Sequence, residues 1–284
     1  MNEPGQVLLF GANSMIGWSV FRLRAFESMV GFCNAKTRRM PAGVTRRIQL
    51  NDREAVRDLF AREQPALVIH CAGICDVDRC ETSPEFAASV NVEGARNLVD
   101  LAPAHTRIVY CSSDHVFSGD TGPYDEASAP DPGSVYGRTR VRAEQLVLAR
   151  DNTLVVRAGL FVGPSANGRV GHLDWLRYRH ARRLPMTVVA DEARSAVWAH
   201  DGAQRIAELA RSTITGIRHI AATRVVPRPE LADYLNERYA LGAQFSLQSR
   251  CDRPAPHLGR VELRTRFVDA LAAPLPSVVT TARE

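Results

Sequence analysis

Short, continuously apolar runs that alternate with helical patterns constrain this chain more than any single residue does. The runs are "QVLLF" (6–10), "MVGFC" (29–33), "ALVIHCA" (66–72), "RIVYCSS" (107–113) and "TLVVRA" (153–158). Such runs read as strands buried on both faces. Between them, Ile16, Val20 and Leu23 recur at helical spacing, and Ala55, Val56, Leu59 and Phe60 share one face of 52–62, which Pro65 ends. Ser83-Pro84 is expected to open a further helix, with serine as cap and proline at the first helical position. Phe86, Val90, Leu98 and Leu101 continue it, and residues 135–149 form another. The alternation predicts an α/β fold: a doubly wound parallel sheet with a smaller C-terminal substrate-binding region. Right-handed crossovers gather the loops that follow the strands along one sheet edge, where ligands bind.

After Gly159 the rhythm loosens. "HLDWLRYRHARRL" (172–184), 200–211 and 229–240 read as helices, and "IRHIAA" (217–222) as a strand. The expected organisation is a dinucleotide-binding domain over 1–160 and a substrate-binding region over 161–284, with a segment near 195–225 returning to the sheet. A chain of 284 residues, 45% apolar, can bury a full core. The net charge of +5 is carried by arginine, because Lys36 is the only lysine. No basic block interleaved with aromatics is present, so the charge points to acidic small molecules rather than nucleic acid. The six cysteines match neither zinc-ligand spacing nor a disulfide scaffold, so they are expected as reduced thiols with no metal site. The amino terminus lacks a signal-peptide pattern, and no run approaches the ~20 apolar residues of a membrane span. The expectation is a cytoplasmic protein with no membrane partner. Oligomeric state stays open, with a homodimer as one option.

The first strand runs into "GANSMIG" (11–17). Gly11 allows a tight turn, Gly17 lets the helix pack against the sheet, and the helix amino terminus offers N–H groups to a pyrophosphate. Asn13, Ser14, Met15 and Ile16 complete the expected cofactor-contacting set, with Ser14 where a glycine is usual. The second strand should end near the adenosine ribose. There the text reads "NAKTRR" (34–39), and no acid lies between Glu27 and Asp52. Lys36 and Arg38 suit a 2′-phosphate, which points to NADP, with NAD as the alternative.

The strand at 107–113 ends in Ser112 and Ser113, and Tyr136 follows on the next helix within "SVYGRTR" (134–140). Tyr136 and Arg140, four residues apart, share a helical face. A serine to orient a carbonyl, a tyrosine to supply a proton and a cation to favour tyrosinate form a reducing constellation.

These motifs resemble the extended short-chain dehydrogenases/reductases, and within them the dTDP-4-dehydrorhamnose reductases. The resemblance also covers "HCAGICDVDRCETSPEFAASVNVEGARNL" (70–98), "SSDHVFSGDTGPYDEASAPDPGSVYGRTRVRAE" (112–144), "DEARSAVWAHDGA" (191–203) and "RPAPHLGRVEL" (253–263). It implies catalytic roles for Ser113, Tyr136 and Arg140. It implies that Cys71, Ala72 and Gly73 flank the cofactor together with Tyr136 and Arg140, and that Asn91 lies in a helix associated with proton relay. The implied reaction is NADPH-dependent reduction of a 4-keto-6-deoxy sugar nucleotide, bound by the carboxyl-terminal part. Arg177, Arg179, Arg182, Arg183 and Arg194 are candidates for its diphosphate. Three positions depart from the family pattern: Ser14 for glycine, His115 for a common tyrosine and Arg140 for lysine. Two other functions fit the same features: a non-catalytic NADP-binding regulatory subunit, like the β subunit of methionine adenosyltransferase, and a sugar-nucleotide epimerase or dehydratase.

Overall fold

The computed structural model describes residues 5–280 except 38 and 45, so Arg38 lies outside the described residues. The first half alternates as the apolar runs require: β1 (Val7–Phe10), α1 (Met15–Leu23), β2 (Met29–Asn34), β3 (Arg46–Ile48), α2 (Arg53–Glu63), β4 (Leu67–His70), α3 (Val77–Thr82), α4 (Pro84–Ala88), α5 (Gly94–Leu101), β5 (Arg107–Ser113), α6 (Val135–Leu148) and β6 (Thr153–Ala158). The second half adds β7 (Leu160–Val162), α7 (His172–Ala181), β8 (Thr187–Val189), β9 (Ala193–Trp198), α8 (Ala199–Arg211), β10 (Gly216–Ile220), β11 (Val225–Pro227), α9 (Arg228–Arg238), β12 (Ser246–Gln248) and β13 (Arg260–Val261).

Seven strands form one sheet in the order β10-β6-β5-β4-β1-β2-β3, with every pair parallel. Strand order runs one way from β1 and the other way from β4, so the switch point lies between β1 and β4, and the crevice beyond their carboxyl ends is the expected ligand position. Period-two alternation divides the core. Val7, Leu9, Ile69, Val109 and Val156 face Val20 of α1 and Ala203, Ile206 and Ala210 of α8. Leu8, Phe10, Val68 and Ile108 face Val56, Leu59 and Phe60 of α2 and Leu98 of α5. Each such large side chain contributes roughly 1.5–3 kcal/mol on burial. A smaller sheet, in which β9 pairs with β7, β11 and β13, forms in the carboxyl-terminal part.

Several local expectations change. Ser83 makes no side-chain cap bond. Its N–H closes α3 on the Arg79 carbonyl at 3.1 Å, and α3 itself, capped by Asp76, is not visible as an apolar period. The helix from Pro84 to Leu101 passes through one π turn at Ser89–Glu93, which carries Asn91. An edge strand not expected from the sequence, β3, opens at Arg46, whose guanidinium reaches Glu63 at 2.9 Å. The basic helix stops at Ala181, short of residue 184, where Arg183 takes a left-handed backbone with φ 51°. Among the described residues no helix is long and apolar enough to cross a membrane, and no group of three or more potential ligands could hold a metal ion.

Candidate active-site cleft

A cleft of about 770 Å³ opens along the carboxyl ends of β1, β2, β4 and β5. Its first wall is the turn from β1 into α1, where Gly11, Asn13, Ser14, Met15 and Ile16 all line the cavity. Gly11 has φ +82°, a conformation that favours glycine. Ser14 is the N-cap of α1: its Oγ accepts from the Gly17 N–H at 3.0 Å, which explains a side chain in place of the usual glycine. Gly17 does not line the cleft. A Cβ there would collide with the Gly11 carbonyl, so its role is to let α1 press on the turn. At the end of β2, Lys36 lines the cleft and donates its N–H to Asn34 Oδ1 at 2.9 Å.

The opposite wall combines the loop after β4, the end of β5 and the first turns of α6. Cys71, Ala72, Gly73, Ser113, Tyr136 and Arg140 all line it. Ser134 caps α6, accepting from Gly137 N at 3.1 Å, and Glu81 accepts from Val135 N at 2.6 Å. A Cβ on Gly137 would strike the His115 carbonyl, so α6 lies hard against the turn that follows Ser113. The His115 ring stands edge-on to Tyr136, with centroids 5.1 Å apart. Ser113 Oγ accepts from His115 N at 3.2 Å and lies 3.3 Å from Asp114 Oδ1.

Tyr136 and Arg140 are each only 5% exposed. The Arg140 guanidinium carbon lies 5.1 Å from the Tyr136 ring centroid, and Nη1 donates to Tyr110 Oη at 2.9 Å. Burial opposes the charge, but the phenolic oxygens of Tyr110 and Tyr136 outweigh it and hold the Arg140 pKa above the ordinary arginine range. It is a permanent cation in a nearly dry place. Asn91 ties the same region together: its Oδ1 accepts from Ile74 N at 2.9 Å, and its Nδ2 donates to Ile74 O at 3.1 Å and Thr139 Oγ1 at 2.9 Å. Both ends of the amide are therefore engaged.

A buried ion pair stiffens the floor. Glu144, two turns beyond Tyr136 on α6, takes Arg157 of β6 at 2.7 Å and the Ser112 hydroxyl at 2.5 Å. Both charged side chains are 3% exposed. Of the candidate diphosphate arginines, Arg177, Arg179, Arg182 and Arg183 do not line the cleft. Arg177, Arg179 and Arg182 lie over the rings of Tyr239, Trp175 and Tyr178. Arg194 does line it, but its guanidinium donates to Asp114 and Glu192. Tyr110 was not singled out in the sequence. The available signal was period two on β5, which places Tyr110 on the face of Ser112, beneath α6.

Gly73 has φ +150°, and a Cβ there would run into Arg140 Nη2 and approach Asn91 Oδ1 to 2.8 Å. Gly73→Ala is expected to destabilise the fold by about 2 kcal/mol or more, read from urea unfolding.

Residues 5–255 match the family described as the RmlD substrate binding domain. The chain belongs to this family. Its relatives include a probable dTDP-4,6-dihydroxy-2-methyloxan-3-one 4-ketoreductase of Streptomyces antibioticus, 36% identical over 58% of this chain and 57% of that protein. Methionine adenosyltransferase 2 subunit beta of Xenopus tropicalis is 32% identical over 56% of this chain and 48% of its own length. The chain thus spans about half the length of these curated relatives. The family fold is shared with dTDP-4-dehydrorhamnose reductase from Bacillus anthracis, solved in complex with NADP, at a TM-score of 0.81 and 22% identity, covering 97% of this chain and 96% of that one.

Proposed function

We propose that the protein is an NADPH-dependent reductase of a 4-keto-6-deoxy sugar nucleotide. The observation that carries this reading is the convergence of Ser113, Tyr136 and a buried permanent cation on one cleft, at the switch point of the sheet and beside a glycine turn. The residues present fit a nicotinamide dinucleotide: the amino terminus of α1 opens on the cleft, and Arg140 Nε is buried with no hydrogen-bond partner among the described residues. Gly11, Asn13, Ser14, Met15 and Ile16 would hold the pyrophosphate, and Arg140 a ribose. Lys36 favours a 2′-phosphate because β2 ends without an acid, and NADH is the alternative.

When bound, the reduced nucleotide supplies hydride. The chain supplies the rest. Ser113 donates a hydrogen bond to the substrate carbonyl and aligns it. Tyr136 Oη gives that oxygen a proton, and Arg140 stabilises the phenolate left behind. Arginine does not release a proton below pH ~12, so it cannot reload Tyr136. Reloading then comes from water in the cleft, which slows turnover without abolishing it. The likeness to an adenosyltransferase β subunit favours one second reading, a regulatory protein that binds nucleotide without turnover.

The test is a panel of 4-keto sugar nucleotides with NADPH and with NADH, following loss of reduced nicotinamide and identifying products by NMR. Stoichiometric NADPH oxidation with a new secondary alcohol is the expected result. Tight nucleotide binding with no turnover on any ketone would support the regulatory reading, and product without net oxidation would support an epimerase or dehydratase.

A further inference from the structure

Tyr110 lies three residues before Ser113 on β5 and is completely buried. Its hydroxyl has one hydrogen-bond partner among the described residues, Arg140 Nη1. The guanidinium lies 5.8 Å from the Tyr110 ring centroid and 5.1 Å from that of Tyr136. Tyr110 also meets the His70 ring, with centroids 5.3 Å apart. Gly73, lacking a Cβ, leaves room for Nη2 at the cleft surface. Among the described residues the cation is therefore held by its hydrogen bond to Tyr110, by the phenolic oxygen of Tyr136, by the two aromatic rings and beside one glycine.

That arrangement suits arginine and not lysine. A guanidinium is planar and can donate at one end while presenting another edge; an ammonium is a compact point charge without a plane to lie between rings. A lysine at position 140 would draw back and leave the Tyr110 hydroxyl buried without a donor, which is unfavourable. A phenylalanine at position 110 would leave Nη1 without its acceptor.

We propose that Tyr110 is a positioning residue: its hydroxyl fixes Arg140 so that Nη2 faces the cleft beside Gly73, and the two residues form a matched pair in which neither can be changed alone without loss. This rests on reading the cleft as a nicotinamide-nucleotide site, where that edge would meet ribose hydroxyls.

The test uses four full-length proteins: wild type, Tyr110→Phe, Arg140→Lys and the double variant. NADPH affinity is measured by fluorescence titration, and melting temperature without nucleotide. Each single change is expected to weaken NADPH binding about tenfold, the size of one hydrogen bond to a charged group. The double variant is expected to bind no more weakly than either single one, because the two losses have the same origin. Multiplying losses, near a hundredfold in the double variant, would overturn the pairing. So would Tyr110→Phe binding as wild type does, even if its melting temperature falls, since that outcome is a purely structural role. A wild type that binds neither NADPH nor NADH overturns the cleft reading and this inference with it.

Discussion

Tyr136→Phe is expected to lower kcat about a thousandfold while NADPH binding stays within about threefold, the range over which a positioned proton donor acts. The substitution removes one hydroxyl, which is also one of the two phenolic oxygens that favour the Arg140 cation. Phenylalanine keeps the ring that stands edge-on to His115 and lies 5.1 Å from the Arg140 guanidinium carbon. Arg140 keeps its hydrogen bond to Tyr110, so the cation stays in place. What disappears, on the proposed reading of the cleft, is the acid for the carbonyl oxygen, an interaction that matters only as negative charge develops there. Such a loss falls on kcat and kcat/KM together rather than on KM. Single-turnover kinetics beside a nucleotide titration separate the two. A fall of less than tenfold would mean that another group delivers the proton; His115 is the cleft residue edge-on to that ring.

The parallel sheet and most of its strands were legible because those strands are buried on both faces. A strand covered by helices on each side must be apolar at every position, so "VLLF", "LVIH" and "LVVRA" announce themselves without periodicity. What failed was local and polar. The Ser83-Pro84 pair has the composition of a helix start, yet Ser83 sits where one helix ends and the next begins, and its backbone is taken by the first. Strand β3 escaped notice because an edge strand of three residues with two exposed arginines carries no apolar signal.

The site divides in the same way. Glycine turns, the serine at the end of a strand and the tyrosine on a helix carry their chemistry in short spacings, and a cleft lines up with all of them. The supports around them come from distant segments. Arg194 meets Asp114 eighty residues away, Tyr110 meets Arg140 thirty away, and Glu144 joins Ser112 to Arg157 across two strands. No spacing encodes such contacts; those of Tyr110 and Glu144 follow from the register of β5 and β6 beneath α6, and that of Arg194 from β9 meeting the turn after β5. The basic stretch at 172–184 misled for a related reason. Its charge suggested a diphosphate, but three of its arginines place their guanidinium carbons 4.2–5.6 Å from the centroids of aromatic rings, where the cation meets a π face.

Acid should unfold this protein through its histidines before its carboxylates. Burial, aided by the Arg140 charge, pushes the His70 pKa down to about 3, and burial pushes His219 down to about 4 although Glu126 pulls the other way. His115 and His172 are also held well below the usual value, by burial first and then by Arg194 and Arg228 respectively. His70 Nδ1 has no hydrogen-bond partner among the described residues, as a neutral imidazole tolerates. In the unfolded chain each imidazole titrates near 6.5, so below that pH the unfolded state binds protons that the native state refuses. Their depressed folded pKa values leave stability intact above about 6.5 and remove it as pH falls toward 4 and 3. Between pH 6.5 and 5, His70 and His219 alone, each 2% exposed, should cost about 3 kcal/mol, a large share of the 5–15 kcal/mol typical of a folded chain. Glu192 acts in a lower window. Burial opposes its charge, but Arg228, His257 and Arg194 hold its carboxyl below the usual range, so its contribution persists until pH drops beneath ~4.3. Urea unfolding at pH 7, 6 and 5 should therefore show a steep loss that begins near 6.5, with His70→Leu reducing the slope by about one proton. A flat profile from pH 7 to 5 would mean that these imidazoles take up protons without leaving the native fold.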